Sequence, residues 1–102
     1  MSKNLKIVPR EKAFYFFTSI GNYTGVSASS LKEFMEKINE VNVKSLEFHL
    51  YRGDFEKWTN EVLQDGELAA EIRRLHGLNL VSDALRSQLY GVVSRRFRRL
   101  AS

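Results

Sequence analysis

The chain has 102 residues, a length that supports one domain, and 43% of them are hydrophobic, enough to bury a core. It contains no cysteine, which excludes a disulfide framework and a thiolate nucleophile. No apolar run approaches the roughly 20 residues that cross a membrane, and residues 1–12 lack the apolar segment of a secretory signal. The cytoplasm is therefore the expected location.

The formal net charge of +4 is distributed unevenly along the chain. Residues 1–85 hold 11 Lys and Arg against 12 Asp and Glu, whereas residues 86–102 hold five Arg and no acid. The whole basic excess therefore lies at the C-terminal end, which singles this end out as a candidate interaction surface.

The first predicted element is a helix that begins at Pro9, because proline suits the first helical position. Apolar side chains then share one helical face: Ala13, Phe14, Phe17 and Ile20. Residues 13–20 are apolar at odd and even positions alike, so a strand is the alternative. Residues 1–8 are expected to be disordered, and residues 21–29, with two glycines and several small polar side chains, are expected to form a loop.

The second predicted helix has the clearest signals. Ser30 and Glu33 have the spacing of a capping box, in which each side chain binds a free backbone N–H. A single apolar stripe follows, made of Leu31, Phe34, Met35, Ile38 and Val41.

Shorter helical patterns fill the rest of the chain. Residues 43–51 form a third helix that Gly53 ends, Asp54 is predicted to cap a fourth, and residues 65–67 begin a fifth. A last helix runs from Ser82 or Asp83 to the basic end, residues 94–102. The predicted fold class is all-α, a single compact bundle of five to six short helices over residues 1–102.

Five arginines of the last helix are candidates for anion binding: Arg86, Arg95, Arg96, Arg98 and Arg99. Arginine interleaved with an aromatic residue, as in the run RRFRR, suits phosphates and stacked bases. However, cations in the last turns of a helix also complement its dipole without any ligand. At 100° per residue these arginines point in several directions, which disfavours a groove-facing stripe.

Reactive constellations are weak in this sequence. His49, Asp54 and Glu56 lie close together, but a zinc site usually needs three or four ligands and the other histidine, His76, is distant in sequence. Residues 65–67, Asp-Gly-Glu, lack the alternating oxygen ligands of a calcium loop, and helix capping explains them better. No catalytic residue, metal ligand or cofactor is predicted.

Two segments resemble a known family: TGVSASSL at residues 24–31 and EFHLYRGDFEKW at residues 47–58. They are similar to an uncharacterised family of small, largely archaeal helical domains with an F-H-x-x-R-x-D-F-x-x-W segment. The resemblance covers roughly residues 14–76 and implies an accessory domain with no assigned activity. His49, Arg52, Asp54 and Trp58 match it position by position, so they form a candidate shared corner. The favoured interpretation is that they fix the corner between two helices, with Asp54 as a cap and Trp58 packed inside; a shared site is the alternative.

The leading functional hypothesis is a non-enzymatic module that docks onto another protein. Nucleic-acid binding through the arginines of the last helix is the second hypothesis. An enzymatic function would require the corner residues to line a pocket.

Overall fold

The computed structural model describes residues 5–102, which form a two-stranded antiparallel sheet followed by five helices. A short 3-10 turn, Arg10–Lys12, precedes strands β1 (Phe14–Ser19) and β2 (Asn22–Ala28). The helices are α1 (Leu31–Ile38), α2 (Val43–Arg52), α3 (Asp54–Glu61), α4 (Gly66–Arg74) and α5 (Ser82–Ala101), and a 3-10 turn, Leu75–Leu78, follows α4.

The protein is therefore an α+β fold, and the predicted all-α bundle is wrong. The first predicted helix is strand β1, as the alternative reading had it. Phe14 and Phe16 are buried on one face of this strand, while Tyr15 and Phe17 are half-buried and pack against the ring of Tyr23 on β2. The strand thus carries aromatic side chains on both faces, one face in the core and the other half-buried, so its sequence shows no alternation of apolar and polar residues.

The predicted loop at residues 21–29 is also wrong, since most of it is strand β2. Gly21 turns the hairpin at a φ of +80°, a left-handed conformation that glycine adopts without steric cost. The pairing of the strands shifts register next to Phe16 and Phe17, which marks an irregularity of the bulge type. Such an irregularity leaves backbone groups of β1 free for partners outside the sheet.

The Ser30 cap of α1 is confirmed, and the Glu33 side chain reaches back to the residue before the cap. The Ser30 hydroxyl accepts a hydrogen bond from the Glu33 N–H at 3.1 Å, and the Glu33 carboxylate accepts one from the Ser29 N–H at 2.8 Å. Leu31, Phe34 and Ile38 of the predicted stripe are fully buried.

A continuous hydrophobic core joins the hairpin to all five helices. At its centre, aromatic rings from β1, α1 and α3 meet at centroid distances of 4.9 to 6.1 Å: Phe14, Phe16, Phe34, Phe55 and Trp58. The long helix α5 packs across α1, α2 and α4. Strand β1 packs on α2, which lies far from it in sequence, and β2 packs on α1, which follows it directly.

The expectation of disorder at residues 1–8 falls partly on residues 1–4, which lie outside the described residues. Within the described part, Val8 is buried and its N–H donates a 2.8 Å hydrogen bond to the Ser29 carbonyl.

Candidate functional site

His49 lies on α2 at the centre of the predicted corner, and both of its ring nitrogens are engaged. Nε2 accepts a 2.8 Å hydrogen bond from the Phe17 N–H on β1. Nδ1 lies 2.7 Å from the Asp54 carboxylate. Because Nε2 faces a donor, the proton must sit on Nδ1, so the ring is neutral and bonds to both neighbours. The imidazole thereby ties the hairpin to the start of α3.

Burial lowers the pKa of His49 below its usual 6.5, and this effect outweighs the opposing effect of the Asp54 carboxylate. The side chain is only 5% exposed. A proton added at Nε2 would face the Phe17 N–H, donor against donor. The same geometry that excludes the proton also holds the hairpin in place.

Asp54 does not cap α3 as predicted. The N-cap position belongs to Gly53, at a φ of +81°, and no side chain caps this helix. The chain turns so sharply at this glycine that Asp54 already lies in the first helical turn, with its carboxylate directed back towards α2. There it accepts from His49 and from Arg52, whose Nε is 3.1 Å away. The Arg52 guanidinium also stacks 4.8 Å from the ring centroid of Phe48.

Trp58, one turn further along α3, is buried with 7% of its surface exposed. Its indole N–H donates a 2.8 Å hydrogen bond to the Lys12 carbonyl, and its ring packs against Phe14 and Phe34. Trp58 therefore attaches the segment before β1 to the helices, in the structural role that the sequence analysis favours.

All four corner residues line one cleft between the hairpin and the α2–α3 corner. Its volume is about 450 Å³, within the size range of ligand sites. The further lining is mainly apolar and comes from β1, the hairpin tip, α2 and α3; it includes Tyr15, Phe17, Ile20, Phe48 and Val62. We call this surface the corner cleft.

The sequence analysis identified the floor of the corner cleft and Arg52 at its mouth, but it missed one wall and the second cation at the mouth, Lys57. The sequence predicts a helix for Phe17 and Ile20, so it does not indicate that these side chains lie opposite α2. Lys57 is not among the predicted site residues, although its spacing from Asp54 along the helix indicates the same surface. On α3, Lys57, Trp58 and Glu61 follow Asp54 at intervals of three, four and seven residues, which places them on one helical face.

The five predicted anion-binding arginines do not form one site: Arg95, Arg96 and Arg99 line a small pocket that also holds two glutamates, Glu67 and Glu71, while Arg86 lies elsewhere. Arg86 donates to the Ile38 and Val41 carbonyls at 2.7 and 2.8 Å, and so supplies partners for the C-terminal end of α1. Arg96 bonds to the buried Asp65 carboxylate at 2.8 Å, which raises the pKa of Arg96 above its already high value.

Of the other three, Arg99 pairs with Glu67 at 2.9 Å. Arg95 and Arg98 are exposed and form no ion pair within the described part of the chain. Most of the basic excess therefore has acidic or carbonyl partners inside the fold, and a basic stripe is not formed.

The other acidic clusters have structural roles as well. Asp65 caps α4 by accepting from the Leu68 N–H at 3.0 Å. The Glu56 carboxylate is directed away from His49 and lies 2.9 Å from the His76 imidazole. Within residues 5–102 no group of three or more histidine or acidic side chains is placed to hold a metal ion.

The chain belongs to a family of unknown function (DUF5752), whose model matches residues 10–101. The match extends beyond residues 14–76, where the resemblance was expected, and includes the whole hairpin and the arginine-rich helix. Comparisons with curated proteins and with solved structures gave no match. In the described residues no helix has the length and apolar character needed to span a membrane.

Proposed function

We propose that this domain is a non-enzymatic protein-interaction module that binds its partner in the corner cleft. The single observation that carries this proposal is the lining of the cleft, where aromatic and aliphatic side chains remain uncovered beside a few charged groups. Ile20 at the hairpin tip is 84% exposed. Exposed apolar surface rimmed by polar residues is typical of binding sites.

The state of His49 supports binding over catalysis. A general base needs a nitrogen that is free to take a proton from a substrate. Both nitrogens of His49 already bond within the fold, to Phe17 and Asp54, and taking up a proton would cost the bond to the hairpin. The group therefore acts as a fixed part of the cleft floor.

Nucleic-acid binding through α5, the second hypothesis, stays a prediction without a supporting observation. Only Arg95 and Arg98 keep unpaired guanidinium groups among the five candidates in the described chain. Two charges give a small electrostatic contribution to phosphate binding. The cytoplasmic location and an archaeal origin likewise stay predictions.

The chain offers a matched pair of substitutions to test the proposal. Ile20→Asp places a charge in the corner cleft, and Ile7→Asp places the same charge on an isoleucine that is 77% exposed outside it. Because both side chains are exposed, neither change should disturb folding. We expect affinity capture from the native host to recover a partner with the wild type and with Ile7→Asp but not with Ile20→Asp. A partner retained by Ile20→Asp would contradict the role of the cleft.

A further inference from the structure

The guanidinium of Arg52 is held in one orientation with part of it unused. Its Nε donates to Asp54 at 3.1 Å, and its plane lies over Phe48. The two terminal nitrogens have no hydrogen-bond partner among residues 5–102. A guanidinium in this state presents a pair of parallel N–H donors, the geometry that matches the two oxygens of a carboxylate. Its fixed orientation reduces the entropy lost on binding.

A second open cation lies beside Arg52 at the mouth of the corner cleft. Lys57 is exposed and forms no ion pair in the described part of the chain. The acids there are Asp54, whose charge is used by His49 and Arg52, and Glu61, which is exposed and lies one helical turn after Lys57. The mouth therefore offers two cations with free donors beside one open carboxylate, and Arg52 is the cation that presents a pair of donors.

A second groove begins on the other side of these cations. It lies between α3 and α4, has a volume of about 490 Å³, and shares Arg52, Lys57 and Glu61 with the corner cleft. The two grooves are thus continuous across a charged ridge that carries two cations and one acid. A chain molecule with one side chain in the corner cleft has room to continue past the ridge, whereas a compact ligand would use only one groove.

Resting on the function proposed above, we propose that the ligand is a peptide segment of a partner protein in which a large apolar side chain neighbours a carboxylate. The apolar side chain lies in the corner cleft against Phe17 and Trp58. The neighbouring carboxylate accepts two hydrogen bonds from the terminal nitrogens of Arg52. The apolar group provides most of the affinity, and the carboxylate selects among apolar segments.

Two peptides test the selection by the carboxylate. One is acetyl-Gly-Glu-Phe-Glu-Gly-amide, and the other has glutamine in place of both glutamates, which keeps size and hydrogen-bonding capacity but removes charge. Titration of the ¹⁵N-labelled protein is followed at the Trp58 indole N–H and the Ile20 amide. We expect both peptides to shift these signals. The glutamate peptide should bind about fivefold more tightly, the upper range for one partly exposed ion pair.

Matched variants separate Arg52 from the general charge of the protein. Arg52→Gln should reduce the ratio of the two affinities to about one. Arg98→Gln removes the same charge from an exposed arginine of α5 and should leave the ratio at about fivefold. Both changes are on exposed side chains, and an unchanged melting temperature confirms that each variant is folded.

Each alternative occupant has its own signature. Equal affinity of the two peptides for the wild type would overturn the carboxylate proposal, while the shifts at Trp58 would still support a binding cleft. Absence of any shift in the cleft with either peptide would overturn the proposed function itself. Sodium octanoate binding as tightly as the glutamate peptide, with the same dependence on Arg52, would replace the peptide by a free carboxylic acid. Shifts that depend on protein concentration alone would identify a second copy as the occupant.

Discussion

The α2–α3 corner and helix α5 both carry charged residues that the sequence indicates as candidate sites, yet the fold uses these residues in different ways. At the corner, Asp54 directs the ring of His49 and the guanidinium of Arg52, and donors of Arg52 remain free. On α5, Arg86 uses one terminal nitrogen to bind the Ile38 and Val41 carbonyls, and Arg96 bonds to the buried Asp65, so both arginines brace the fold. Arg98 is exposed and unpaired in the described chain, but it does not line the corner cleft. A cluster of charges in sequence thus indicates a ligand site only where free donors lie beside a cleft.

The largest effect on the corner is expected from Trp58→Ala. The indole is buried among aromatic rings, so its removal should lower the free energy of unfolding by about 3–5 kcal/mol. Trp58→Phe keeps most of the packing but loses the hydrogen bond to the Lys12 carbonyl, which should lower the free energy of unfolding by about 1 kcal/mol. Urea unfolding measures both. Similar midpoints for the wild type and Trp58→Ala would mean that the ring is not part of the core.

A somewhat smaller effect is expected from Arg96→Ala on α5, because it leaves the buried Asp65 carboxylate without its cation. The loss should be about 3 kcal/mol. Arg98→Ala, two residues away on the exposed side, should change stability by no more than about 0.5 kcal/mol. The comparison by thermal denaturation tests whether arginines of α5 act as internal braces. Equal effects of the two substitutions would argue against that interpretation.

The third effect depends on pH and belongs to His49. Since the folded state lowers the pKa of this group, the unfolded chain binds more protons, and stability rises with pH. The contribution is complete above the unfolded value of 6.5 and is lost as the pH falls below it towards the folded value. The slope from this single group reaches at most about 1.4 kcal/mol per pH unit.

His49→Gln provides the control for this titration. Glutamine keeps an acceptor for the Phe17 N–H and a donor for Asp54 but does not titrate. Unfolding free energies measured from pH 7.5 to pH 4.5 should therefore fall more steeply for the wild type than for the variant. Parallel curves would show that protonation of His49 does not affect the hairpin.

Local signals in the sequence were sufficient for several elements. The cap at Ser30 and the cap at Asp65 depend on contacts within four residues, and both are confirmed. Asp54 misled for a related reason. Its position after Gly53 is typical of a helix cap. The contact of its carboxylate with His49 depends on the geometry of the turn between α2 and α3, which the sequence pattern does not specify.

The hairpin could not be predicted as clearly as these helix caps. The segment AFYFFTSI has apolar residues at helical spacing and at strand spacing, so periodicity does not distinguish the two. Its strand conformation depends on partners such as Ala28 on β2 and His49 on α2, which lie 14 and 32 residues from their partners on β1. The corner cleft needs this hairpin as its second wall, and for that reason the site was recognised only in part.

The outer strand of the hairpin has a consequence for how this domain meets other molecules. On β2, the Thr24 hydroxyl donates to the Phe16 carbonyl and accepts from the Val26 N–H, and Gly25 between them has a φ of +85°. The bond to Phe16 lies between the two strands, and the positive φ at Gly25 bends β2 there; a strand with such a bend is a poor template for another strand. Sheet extension, the usual route by which an open hairpin recruits partners or aggregates, is thereby disfavoured at this position.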